Sequence, residues 1–214
     1  MNDLSNYRKS YEKSELLESD IPTDPINLFN KWFHEVEEYG GNSEVNAMTI
    51  ATIGLDGFPK SRIVLLKNFT ENGFVFFTNY NSEKGRAILE NPNVCLSFFW
   101  HNMERQVIVK GIAKPTSEEI SDRYFESRPD GSKLGAIVSS QSEVVPSREY
   151  LEENLKQLEK DFEGIIIPRP QHWGGFIVTP LEVEFWQGRP NRLHDRIRYT
   201  IQNDCSWKTD RLSP

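Results

Sequence analysis

Three runs rich in Ile, Val, Phe and Thr, Ala47 to Gly54, Lys60 to Phe69 and Phe74 to Asn79, follow one another with Asp56-Gly57 and Asn72-Gly73 between them. Asp-Gly and Asn-Gly supply the positive φ that a tight hairpin turn needs. The runs are therefore expected to pair antiparallel in chain order, as a meander. Further strands are predicted at Val94 to Trp100, Gln106 to Ala113, Gly175 to Thr179, Glu182 to Gln187 and about Leu193 to Ile201. Antiparallel strands at such short intervals favour a closed barrel over a doubly wound sheet.

A few helices interrupt the strands. Asp24-Pro25 reads as an N-cap followed by proline at the first helical position, with Leu28, Phe29, Trp32, Phe33 and Val36 on one face and Gly40 past the end. Ser82 to Glu90 is a short helix stopped before Pro92. Thr116-Ser117-Glu118-Glu119 forms a capping box that opens a helix through Phe125. Gly131 to Val138 is another candidate, and Ser147 to Phe162 carries Leu151, Leu155, Leu158 and Phe162 at helical spacing. No repeat or linker divides the chain, so residues 21–214 are expected to form a single domain. Residues 1–20, charged and aperiodic, read as a mobile N-terminal arm.

The net charge of -7 argues against a nucleic acid or an anionic membrane as the main partner. The N-terminus lacks the apolar core of a signal peptide, and no run reaches the length of a membrane span, so a soluble cytoplasmic protein is expected. Cys95 and Cys205 fit reduced thiols, and no Cys/His spacing suggests a metal site. No G-x-G-x-x-G or Walker-type loop is present, so any bound phosphate has to be held by side chains.

Against this acidic background the stretch from Trp186 to Arg196 is dense in cations. If the chain is extended after Pro190, Arg192, His194 and Arg196 share a face at intervals of roughly 7 Å, with Asp195 opposite. Such a row suits an anion, and it equally suits a solvated edge strand.

The same stretch, Trp186-Gln187-Gly188-Arg189-Pro190-Asn191-Arg192-Leu193-His194-Asp195-Arg196, resembles the C-terminal signature of the pyridoxamine 5'-phosphate oxidase family. The resemblance extends to Arg62-Ile63-Val64-Leu65-Leu66-Lys67, Glu104-Arg105-Gln106-Val107, Ser139-Ser140-Gln141-Ser142, Pro168-Arg169-Pro170 with Trp173-Gly174-Gly175, and the ending Trp207 to Pro214. Six blocks in the family's order are specific where any one alone is weak. The resemblance implies an antiparallel, Greek-key split β-barrel that binds FMN, in a homodimer with the flavin at the interface. It implies oxidation of pyridoxamine 5'-phosphate and pyridoxine 5'-phosphate to pyridoxal 5'-phosphate, with hydride passing from C4' to flavin N5 and dioxygen reoxidising the flavin to give hydrogen peroxide.

Residue roles follow from the same resemblance. Arg62, Ile63, Val64, Leu65, Leu66 and Lys67 would serve FMN, with Arg62 on the phosphate side and Lys67 also reaching the substrate phosphate. Taken alone, Arg62 and Lys67 are equally ordinary strand-end charges. Phe77, Thr78 and Lys84 form the next FMN segment, and here the chain departs from the pattern: Glu83 stands where an arginine is common. A carboxylate repels a phosphate, so Glu83 is expected to turn away and leave the binding to Lys84, helped by Arg86. Gln106, Gln141, Ser142, Trp186 and Arg196 complete the FMN contacts in the family, although without it the polar ones are surface groups and the tryptophan is core. Arg8 and Tyr11 on the arm, and Tyr124, Arg128 and Ser132, would bind the substrate. The last three are four residues apart but separated by Pro129, so they should converge across a helix end and the turn after it. Arg192 and His194 would sit at the reacting C4' end. Two other classes stay open: another FMN-dependent reductase on the same barrel, and a protein that binds flavin or pyridoxal phosphate without turnover.

Overall fold

The computed structural model describes residues 2–41 and 44–214. Among these residues five helices, α1 (Pro25–Tyr39), α2 (Glu83–Glu90), α3 (Glu118–Glu126), α4 (Asp130–Val138) and α5 (Arg148–Asp161), accompany nine strands. The strands are β1 (Ala47–Ile53), β2 (Pro59–Leu65), β3 (Asn68–Thr70), β4 (Gly73–Asn79), β5 (Asn93–Trp100), β6 (Arg105–Pro115), β7 (Trp173–Gln187), β8 (Asp195–Ile201) and β9 (Trp207–Arg211). They form one sheet in the order β2-β1-β5-β6-β7-β4-β3, with β8 on β7 and β9 on β8. The expected mainly β class with flanking helices is borne out. Among the described residues no helix is long and apolar enough to cross a membrane.

The chain divides into two compact units. One comprises Met1–Ile50, Cys95–Gly111 and Pro180–Pro214; the other comprises Ala51–Val94 and Ile112–Thr179. In the first unit Asp24 caps α1 by accepting the Ile26 amide, as the Asp-Pro pair predicts. Leu28, Phe29, Trp32 and Val36 on its inner face are buried to within 2%. Phe29 meets Phe98 edge-on at 5.0 Å and Trp32 meets Phe185 at 5.2 Å. Each such burial is worth about 1.5–3 kcal/mol, so this apolar stripe pins α1 to the sheet. Antiparallel ladders then join Glu182–Gln187 of β7 to β8, and β8 to β9.

In the second unit β4 pairs with β3 and with the first half of β7. The turn before β4 uses Gly73 at φ 134°, where a Cβ would lie 2.2 Å from the Val178 carbonyl, so no other residue fits. Ser82, Ser117 and Ser147 each cap a helix through the side-chain oxygen. Phe125, Leu134, Ile167 and Trp173 form one core cluster of this unit, packed by Leu155, Leu158 and Phe162 from the amphipathic helix and its end.

Four local expectations are corrected. The run Lys60 to Phe69 is two strands, broken where Leu66 is buried and Lys67 is exposed, with the Lys67 amide bonded to the Val75 carbonyl at 2.8 Å. The two strands predicted either side of Pro180 are the single strand β7. Its β4 ladder ends at Val178 and its β8 ladder begins at Glu182, so the proline's missing donor falls between them. The α3 cap lies one residue later than the capping box suggests: Ser117 accepts the Ile120 amide, and Thr116 bonds Ser121 and the Gly175 carbonyl instead. The chain after Pro190 is not extended. Asn191 and Arg192 are left-handed at φ 57° and 62°, and β8 begins only at Asp195.

Candidate active site

The second unit contains a cavity of about 680 Å³. One wall is the β2 segment Ile63, Val64 and Leu65 with Lys67 after the strand break; Phe77, Thr78, Lys84 and Gln141 add to the lining. Tyr124, Arg128 and Ser132 complete it with Trp173. Eleven of the sequence-derived residues thus meet in one place, although they come from five separate stretches of chain.

Two groups of cations face this cavity. At the start of α2 the buried Lys84 ammonium donates to Thr78 Oγ1 at 3.1 Å and Gln141 Oε1 at 3.3 Å. Burial pushes its pKa down, the nearby Arg62 adds to the effect, and Glu83 opposes it. Glu83 itself turns to Lys60 in an ion pair, so the expected departure of its carboxylate is realised. Arg86 does not help Lys84: it pairs with Glu143 at 3.1 Å. Ser142 accepts the Glu83 amide at 3.2 Å from a left-handed position at φ 77°. Arg62 donates to Thr52 Oγ1 at 2.8 Å and to the Lys60 carbonyl at 2.9 Å, and its guanidinium pKa is lowered by burial. Leu66 is core, and neither Arg62 nor Ser142 lines the cavity.

The other group rests on an aromatic stack. Tyr124 lies on Phe77 with ring centroids 3.9 Å apart, and both are near-parallel to Trp173. Lys67 Nζ is 5.9 Å from the Tyr124 ring centre, and the Arg128 guanidinium is 4.6 Å from that of Trp173. Arg128 Nη1 is buried without a hydrogen-bond partner among the described residues, and burial lowers the guanidinium pKa. As Pro129 requires, α3 ends before it and α4 begins after it, which brings Ser132 round to the same cavity. Reading from sequence missed Trp173 and Asn79 as lining residues; the Trp173-Gly174-Gly175 block was the available signal for the first.

The first unit holds the remaining residues. Trp186 and His194 have ring centroids 4.6 Å apart, and Tyr11 of the arm lies 5.7 Å from Trp186 and 6.0 Å from His194. The approach depends on Gly188, where a Cβ would come within 2.8 Å of the Tyr11 ring. His194 Nδ1 accepts the Arg189 amide at 3.0 Å, so the neutral ring carries its proton on Nε2. Burial lowers the His194 pKa, Arg192 lowers it further, and Asp195 opposes them. Arg196 is engaged by Glu184 through two bonds of 2.9 and 3.2 Å and by the Ser213 carbonyl. Arg192 is exposed, Gln106 is half-buried on β6, and Arg8 bonds the Ser5 carbonyl within the arm. The expected cationic row is therefore broken by left-handed Arg192, and Asp195 is spent on Arg211 at 2.7 Å and the Leu16 amide at 3.1 Å.

The antiparallel sheet with its flanking helices is that of the split-barrel class. The fold matches the crystal structure of PhzG from Burkholderia lata, solved with tetrahydrophenazine-1-carboxylic acid, with a TM-score of 0.87 and 29% identity over 95% of this chain and all of that one. It also matches a pyridoxamine 5'-phosphate oxidase-related, FMN binding protein from Nostoc punctiforme, with a TM-score of 0.69 and 15% identity over 86% of this chain and 96% of that one. Residues 39–160 match the pyridoxamine 5'-phosphate oxidase family model, and residues 173–214 match the pyridoxine 5'-phosphate oxidase C-terminal dimerisation region. The pyridoxine/pyridoxamine 5'-phosphate oxidase of Flavobacterium johnsoniae is 78% identical over 213 residues, covering the whole of both chains. The chain belongs to the pyridoxine/pyridoxamine 5'-phosphate oxidase family.

Proposed function

We propose that this chain is an FMN-dependent oxidase that converts pyridoxamine 5'-phosphate and pyridoxine 5'-phosphate to pyridoxal 5'-phosphate, with dioxygen as acceptor. Family membership supports the reaction, and Arg128 carries the reading in this structure: a buried guanidinium nitrogen without a partner, stacked on Trp173 in a cavity shared with Lys67, Tyr124 and Ser132. A planar fork beside hydroxyls and an ammonium suits a phosphomonoester dianion. Lys84, Thr78 and Gln141, beside the amides that open α2, form a second phosphate-fitting group, and the β2 wall offers apolar side chains to a flat ring. The residues present thus fit FMN together with a phosphorylated substrate.

When bound, FMN would supply the redox chemistry, the two-electron oxidation at C4' with dioxygen as final acceptor and hydrogen peroxide as its product. The protein's part is to hold and orient. Lys67, Tyr124, Arg128 and Ser132 bind the substrate phosphate. Arg62, Lys84, Gln141 and Ser142 hold that of the cofactor, while Gln106 and Trp186 serve the flavin ring system and Arg196, the third residue expected there, stays with Glu184. Arg192 and His194 hold the C4' end, where the Nε2–H of His194 can hydrogen-bond the amine or hydroxyl and orient it. Arg8 and Tyr11 belong to the arm that covers the substrate. The dimerisation-region match over residues 173–214 supports a homodimer, and in this reading FMN lies at its interface. Free Cys95 and Cys205 fit a reducing cytoplasm.

The test is the visible spectrum of the purified protein before and after anaerobic addition of pyridoxine 5'-phosphate. A yellow protein that bleaches and recovers its colour in air carries out the proposed reaction. A yellow protein that keeps its colour has another flavin chemistry, and one that stays colourless and inert with added FMN is a binding protein at most.

A further inference from the structure

We infer that Glu104 is a positioning residue for the proposed oxidation, holding Tyr11 of the arm against Trp186 and His194. The inference rests on that functional reading for its catalytic consequence, and on hydrogen bonds within the first unit for its structural part.

The Glu104 side chain is 2% exposed. A carboxylate so deeply buried is tolerated only where donors surround it. Its donors come from the arm: Oε2 accepts the Glu12 amide at 2.8 Å and the Lys13 amide at 3.1 Å, and Oε1 lies 3.5 Å from Lys9 Nζ. Lys13 Nζ adds a bond to the neighbouring Asn102 carbonyl. On its main chain the same residue accepts the Gly188 amide at 2.7 Å and Gln187 Nε2 at 3.2 Å. Glu12 is the residue after Tyr11, and Gly188 lies two beyond Trp186. One residue is therefore bonded to the chain next to both members of the ring contact.

The backbone and the neighbours of Glu104 fit this purpose. It stands at φ 54°, ψ 40°, a left-handed conformation that a residue with a Cβ seldom adopts. The turn His101–Met103 ends there and β6 begins, so the carboxylate faces the arm while the adjacent side chain goes elsewhere. That neighbour, Arg105, is buried against Trp32 at 4.5 Å, pairs with Glu35, and donates to Gln187 Oε1 at 2.9 Å. Arg105 is thus committed to α1 and β7, and Glu104 is left to the arm. Farther along, the arm is tied independently: Asp195 accepts the Leu16 amide, and Arg211 bonds the Leu16 carbonyl and Glu18. Glu104 accordingly governs residues 9–13, the stretch that carries Tyr11.

Glu104→Gln keeps the side chain's shape but removes its charge and one acceptor. Two charge-assisted bonds to amides are at stake, which sets the expected rise in KM for pyridoxine 5'-phosphate at about 10- to 100-fold. FMN affinity should be unchanged and kcat should change less than KM. Combined with Tyr11→Ala, the substitution should add little further to KM, because both act through the same ring. Trypsin should cleave after Lys9 and Lys13 at least about tenfold faster in Glu104→Gln than in the wild type, since freed backbone is the form proteases cut. Lys13→Pro, which removes one donor amide from the exposed arm and leaves the buried side intact, should reproduce the faster cleavage after Lys9. Unchanged cleavage in both variants, or KM effects of Glu104→Gln and Tyr11→Ala that simply multiply, would overturn the inference. Faster cleavage on a wild-type protein that does not oxidise the substrate would uphold the docking role and defeat the oxidase reading instead.

Discussion

Positive charge is handled differently around β8 of the first unit and at the cavity of the second. Around β8, cations are paired within the protein: Arg196 with Glu184, Arg198 with Asp210, Arg211 with Asp195 and Glu18. At the cavity, Lys84 is buried and Arg128 half-buried beside hydroxyls, an amide and aromatic faces, and burial lowers the pKa of both. Arg189 and Arg196 of the cation-rich stretch are thus answered by carboxylates of the protein itself. What marks an anion site is the residual after internal pairing, not the number of arginines.

The largest expected effect tests that residual directly. Arg128→Ala should raise KM for pyridoxine 5'-phosphate about 100-fold or more through loss of a charge-assisted phosphate contact, read by steady-state kinetics. Arg128→Lys should recover only part of it, because an ammonium lacks both the fork and the stacking on Trp173. Next in size, Lys84→Met should weaken FMN binding by about 10- to 100-fold, measured by flavin fluorescence quenching, and should leave apoprotein stability unchanged or improved, since it removes a buried ammonium. Arg196→Ala provides the contrast. If its pairing with Glu184 accounts for it, the substitution should cost about 1–3 kcal/mol by leaving a buried carboxylate unmatched, seen in thermal or urea unfolding, with FMN affinity nearly intact. A tenfold loss of FMN affinity instead would mean that the first unit shares its charge with the cofactor.

The smallest effect concerns pH. The folded protein holds His194 below its ordinary value of 6.5, so below that pH the unfolded chain takes up the proton more readily than the folded one. The contribution is fully present above 6.5 and is lost as pH falls toward the folded value. His194→Asn should flatten the dependence of unfolding free energy on pH just below 6.5, and an unchanged slope would place the ring in a solvent-like setting.

Much of the fold was legible because its signals are local. Asp24-Pro25, Ser82 and Ser147 announce helix starts within a few residues, and Asn72-Gly73 marks a turn whose glycine no other residue can replace. The four-residue spacing of Tyr124, Arg128 and Ser132 about Pro129 was legible as convergence, and the family resemblance joined Lys67 to them; all four line one cavity. What escaped depends on distant partners. The pairing of Arg86 with Glu143 spans 57 residues, and β7 runs on through Pro180 at the point where its β4 ladder has ended and its β8 ladder has not begun. The left-handed turn at Asn191 and Arg192 overrode strand alternation for the same reason, since nothing in an Arg-x-His-x-Arg spacing reports the conformation of the residues between.

The bond from the Arg189 amide to His194 Nδ1 also decides what the ring can offer. With one ring nitrogen taken up by the main chain, the neutral imidazole has a single free polar atom, Nε2, and that atom is a donor. A second proton could enter only at Nδ1, where the amide already points its own hydrogen. Charging the ring therefore means first undoing its tie to the main chain, so the protonation state of this side chain and the shape of the turn from Arg189 to His194 change together or not at all.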